Sequence, residues 1–116
     1  MTLKRIYTGL IGSLALLAAI SAAGAQADQD RRDLMTLYFA SIAADRCDFA
    51  LSETEADTLI QSAVALQKKL DLKEDAADLL YEEVETSFEK QLPDACKKDG
   101  EAFKSYEQVM QQIRKK

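Results

Sequence analysis

Histidine is absent from this 116-residue chain, tryptophan is absent too, and proline occurs once, as Pro93. Without histidine the chain has no usual general base, no usual activator for a serine or cysteine nucleophile, and no imidazole for zinc. Ser41, Ser52, Ser62, Ser87 and Ser105 therefore have no histidine to activate them, and no spacing recommends a serine–lysine pair. The two cysteines, Cys47 and Cys96, lie 49 residues apart. That spacing is unlike a redox dithiol, and two thiolates alone do not make a zinc site. Glycine occurs four times, and only Gly100 falls beyond residue 27. This excludes a glycine-rich phosphate loop and leaves too few turn residues for a strand-rich domain. No segment has the alternating acids, glycine and closing glutamate of an EF-hand. The chain has no internal repeat. An enzyme is not expected.

One long apolar run is present, at the start. Lys4 and Arg5 precede the uncharged stretch Ile6 to Ile20, and small residues then lead to Ala25-Gln26-Ala27 just before Asp28. This is the layout of a secretory signal peptide cleaved after Ala27, and the run is short for a membrane span. The expected division is a leader over 1–27 and a single helical domain over 28–116, periplasmic or secreted, with no membrane attachment after cleavage. That domain has 116 − 27 = 89 residues, with room for one modest core. Removing Lys4 and Arg5 leaves 15 − 2 = 13 basic against 20 acidic side chains, a formal charge of −7. So acidic a surface argues against nucleic acid as a partner. No cofactor is expected.

Apolar spacing predicts four helices. The first runs from about Asp30 to Arg46, with Leu34, Met35, Leu37, Tyr38, Phe39 and Ile42 forming a broad apolar stripe. Ser52-Glu53-Thr54-Glu55 reads as a capping box opening a second helix, which is expected to bury Ala56, Leu59, Ile60, Ala63, Val64 and Leu66 or Leu70. Asp71 reads as the cap of a third helix, whose buried face is Ala76, Ala77, Leu80, Tyr81, Val84 and Phe88. Pro93 marks its boundary. The last helix is expected to begin near Pro93 or Asp94 and to bury Cys96, Phe103, Tyr106, Val109 or Met110, and Ile113. Asp99-Gly100 loosens its first turn, and Arg114, Lys115 and Lys116 complement the negative end of its dipole. The expected fold is all-α, a small four-helix bundle with one disulfide.

Export makes Cys47 and Cys96 a structural disulfide that encloses the two middle helices. Loop-closure entropy for that span is worth about 4 kcal/mol, a large fraction of a small domain's stability. Three binding readings remain. The stripe Leu34, Met35, Leu37, Tyr38, Phe39, Ile42 is either core or a surface for a client protein or a second copy. The acids Asp45, Asp48, Glu53, Glu55 and Asp57 gather around the first loop, where a hard, calcium-like cation is the alternative ligand. Asp75, Asp78 and Glu82 share one face of the third helix. A third reading is an interaction or inhibitor module for another envelope protein.

Cys47-Asp48-Phe49, Ala95-Cys96, Asp99, Phe103-Lys104 and the basic end Ile113 to Lys116 carry a family likeness over roughly residues 47–116. In these segments the chain resembles the HdeA family of periplasmic acid-stress chaperones, small exported helical proteins with one disulfide. This chain differs in having an extra apolar helix before Cys47 and no tryptophan. The resemblance implies a homodimer that dissociates in acid and exposes apolar surface to unfolding clients. Below about pH 4 the carboxylates become neutral and the net charge swings from negative to strongly positive, which weakens carboxylate pairs and caps. The expected function is accordingly that of a small exported binding protein, with an acid-activated holdase as its concrete form.

Overall fold

A computed structural model describes the backbone of residues 2–115 and the side chains of residues 24–115. The leader reading rests chiefly on Lys4, Arg5 and Ile6 to Ile20, whose side chains lie outside the described residues. Four α-helices follow one another: α1 (Thr2–Cys47), α2 (Glu53–Lys69), α3 (Glu74–Lys90) and α4 (Glu101–Arg114), with a 3-10 turn at Asp94–Cys96. No strand occurs among the described residues. The first helix extends further toward the N-terminus than the stripe implied. The chain divides into two compact units, Met1–Asp30 and Arg31–Lys116. In the first, Gln26 donates to the Asp30 carboxylate at 3.1 Å.

The second unit holds the bundle. Its core draws one face from each helix: Leu34, Tyr38 and Ile42 from α1, Leu59 and Ala63 from α2, Leu80, Val84 and Phe88 from α3, and Tyr106, Val109, Met110 and Ile113 from α4. The three- and four-residue spacings place each set on one side of its helix. Ala40, Ala43 and Ala44 are buried as well. Phe39 meets Phe88 edge-on at 5.6 Å between ring centres. Phe49, in the loop after α1, meets Phe103 and Tyr106 at 5.0 and 5.1 Å. The Tyr106 hydroxyl donates to the Ala50 carbonyl at 2.8 Å, so the first loop is pinned to α4. Cys47 and Cys96 are bonded, with Cα atoms 5.2 Å apart.

Helix ends depart from the expectations in instructive ways. The Ser52 capping box forms: Ser52 Oγ accepts from the Glu55 amide, and Glu55 accepts from the Ser52 amide, each at 3.1 Å. Asp71 does not cap α3. It stands at φ 54°, where it ends α2: the Leu72 amide donates to the Gln67 carbonyl and the Asp71 amide to that of Lys68. This is the Schellman pattern, in which the residue past the helix turns left-handed. Asp48, at φ 56°, does the same for α1, with the Phe49 amide donating to the Ala44 carbonyl. Lys73 occupies the N-cap of α3 and offers no side-chain acceptor. The last helix begins at Glu101, with Gly100 as N-cap, not at Pro93 or Asp94. Cys96 belongs to the preceding 3-10 turn, and so not to the α4 face. A Cβ on Gly100 would lie 3.3 Å from the Asp94 and Lys97 carbonyl oxygens, which explains a glycine where serine or aspartate would cap better.

Two expected faces are also corrected. On α2, Ile60 is 61 % and Val64 39 % exposed, and on α3 Tyr81 is 37 % exposed. Ala76 is exposed as well. The core claims a narrower stripe of each middle helix than its apolar residues would fill.

Candidate functional site

The α1 stripe mostly faces inward. Leu34, Tyr38 and Ile42 are buried, while Met35, Leu37 and Phe39 are half-buried against the core. The half-buried members look into surface grooves. Leu37 lines one of about 1070 Å3, between α1, α2 and α4, whose other walls carry Gln61, Gln108 and Gln112. Met35 and Phe39 line a second of about 510 Å3 beside Val84 and Ala102. Amides and hydroxyls dominate the polar walls of the first groove, and Asp33 is its one carboxylate.

The first-loop acids are spread apart in role. Asp45 is exposed in the last turn of α1, and Glu53 and Asp57 are exposed in the first turns of α2. Asp48 serves as the left-handed residue closing α1. Glu55 is occupied by its cap and by Arg114, whose Nε donates to Glu55 Oε2 at 2.7 Å. Among the described residues, no group of three or more histidine, cysteine or acidic side chains is placed to hold a metal ion.

Glu55 engages the Ser52 cap and Arg114 at once. Hydrogen bonds from Arg114 first, and from the Ser52 backbone and hydroxyl second, hold its pKa below the ordinary carboxylate value. Arg114 is raised correspondingly. Tyr106 lies within range of both; burial raises its pKa, and the Glu55 charge adds to that. One carboxylate thus joins the start of α2 to the end of α4, across 59 residues of sequence. Arg46 with Glu89 at 3.1 Å and Arg31 with Glu83 at 3.9 Å link α1 to α3 in the same manner. Sequence reasoning assigned Arg114 to its own helix dipole and missed the Glu55 tie. No local spacing signals a pair so distant in the chain.

A smaller site lies between α2 and α3. Tyr38 and Tyr81 meet edge-on at 5.3 Å, and Gln67 Nε2 donates to the Tyr38 hydroxyl at 2.6 Å. Burial raises both tyrosine pKa values. Asp78 adds to the effect at Tyr38, and Glu85 and Asp45 add to it at Tyr81.

No helix among the described residues is long and apolar enough to cross a membrane. No protein-family model, curated protein or solved structure matches the chain.

Proposed function

We propose that the chain is an exported, non-enzymatic binding protein of the periplasm, cleaved after Ala27, whose bundle loosens in acid and then holds unfolding client proteins. The reading is carried by the Glu55–Arg114 tie. It is a carboxylate-dependent clasp between two helices that cover the apolar α1 stripe. Acid protonates Glu55, which removes the negative charge that Arg114 pairs with and weakens the charge-assisted bonds of the α2 cap. Glu107 also lies near Arg114 and adds to the field that favours its charge. The Arg46–Glu89 and Arg31–Glu83 pairs weaken alongside, and the remaining positive charges repel one another. The disulfide keeps the opened chain from spreading. Leu34, Met35, Leu37, Tyr38, Phe39 and Ile42 then become the client surface, as the resemblance to the acid-stress chaperones would have it.

A depressed carboxylate pKa stabilises the fold above the unfolded-state pKa, and that contribution disappears as pH falls through the folded-state value. Glu55→Gln keeps the capping-box geometry but removes the charge. The variant is expected to melt below the wild type at about pH 7, to match it near pH 2, and to open at higher pH. Light scattering of an aggregating client at about pH 3 tests the function itself. Suppression in acid that is absent at neutral pH, and that begins at higher pH in Glu55→Gln, supports the reading. Equal client aggregation with and without the protein in acid would end it.

A further inference from the structure

The cleft between α2 and α3 has two unlike walls. Ile60 and Val64, one turn apart on α2, are the exposed apolar wall. With Leu37, Leu59, Ala63 and Tyr81 they line a hollow of about 170 Å3. That volume is below the range of small-molecule pockets and suits a single large side chain. The adjoining hollow shares Tyr38, Gln67 and Tyr81 and adds Glu74 and Asp78. Glu74, Asp78, Tyr81 and Glu85 recur at helical spacing, so α3 presents an acidic wall broken by one aromatic ring. The charge of Asp45 on α1 also acts on Tyr81. No lysine or arginine lines either hollow. The two tyrosines, in edge-on contact, and Gln67, bonded to Tyr38, form the floor between the walls.

From this juxtaposition we infer that the α2–α3 cleft docks a basic amphipathic peptide segment, with an aliphatic side chain seated against Ile60 and Val64 and its lysine or arginine neighbours against Glu74 and Asp78. An apolar wall alone would accept any exposed hydrophobic segment. The facing carboxylates, with no lysine or arginine among the lining residues, select a positively charged one and disfavour an acidic one. Tyr81 adds a ring face on which an ammonium or guanidinium can rest. The site belongs to the closed bundle at neutral pH, so it stands or falls apart from opening in acid.

The test is fluorescence anisotropy at about pH 7, using protein purified after expression of the full chain. The probes are three labelled amphipathic peptides: lysine with leucine, lysine with serine, and glutamate with leucine. The lysine–leucine peptide should bind saturably, at least about tenfold tighter than either other peptide, and should weaken as salt rises. The double variant Ile60→Ser with Val64→Ser, and separately Asp78→Lys, should each weaken it about tenfold or more. These side chains are exposed, so unchanged far-ultraviolet circular dichroism will accompany the loss. Asp99→Lys makes the same charge change on the loop before α4 and should have much the smaller effect. Absence of saturable binding would overturn the assignment. So would equal weakening by Asp99→Lys, because net charge alone would then explain the attraction. Sedimentation provides a further check: self-association abolished by the Ile60/Val64 variant, with peptide binding unchanged, would give the cleft to a second copy and overturn the inference.

Discussion

Asp48 and Asp71 show how a residue's role depends on the backbone it must adopt. Both sit in left-handed geometry at helix ends, a region most side chains avoid and aspartate tolerates because it is short and polar. Asp71 also places a negative charge beside the negative end of the α2 dipole. Asp71→Gly removes both penalties and adds only the greater flexibility of glycine in the unfolded chain. Thermal unfolding should show the variant more stable by about 0.5–1 kcal/mol. A loss of stability would mean that the Asp71 side chain has a role beyond ending the helix. Glu55 makes the complementary point: its neighbours, and not its identity, separate it from the other acids.

At the scale of elements, the middle helices are amphipathic and differently finished. α2 begins with acids and a complete capping box and ends with Lys68 and Lys69, so its termini agree with its dipole. α3 has Glu74 and Asp75 in its first turn but no capping side chain, because Lys73 occupies the N-cap. Lys73 already has the extended backbone of a cap, φ −78° and ψ 162°. Lys73→Asp therefore needs no rearrangement and should stabilise the protein by about 1 kcal/mol in denaturant titration. No gain would indicate that the α3 N-terminus is already satisfied by solvent. The exposed Ile60, Val64 and Tyr81 also belong to this scale. Periodicity locates an apolar face but not its usable width, which depends on how many neighbours pack against the helix.

For the whole molecule, the Cys47–Cys96 bridge is the dominant single constraint. It joins the end of α1 to the turn before α4 and so encloses α2 and α3. Cys47→Ser should lower stability by about 4 kcal/mol under non-reducing conditions, on loop-entropy grounds. An unchanged melting temperature would show that the bridge constrains little in the unfolded chain. The Arg46–Glu89, Arg31–Glu83 and Arg114–Glu55 pairs are each partly or largely exposed. Individually such pairs contribute little at neutral pH. Their importance under the proposed function is that acid weakens all three in one direction while the covalent bridge survives.

The amino-acid order by itself determined the all-α class, the Ser52–Glu55 cap, the cysteine partners and the inward residues Leu80, Val84 and Phe88. These follow from local spacing, from hydrogen bonds between residues close in the chain, and from there being only two thiols to pair. The left-handed ends at Asp48 and Asp71 were not legible, since aspartate serves equally well as an N-cap and as a tolerated left-handed residue. Tertiary structure alone decided that Glu55 meets Arg114, that Tyr106 holds the first loop, and that Ile60, Val64 and Tyr81 stay at the surface opposite an acidic wall. Each depends on which helices become neighbours. That is a property of the packed bundle, and no local stretch of the chain encodes it.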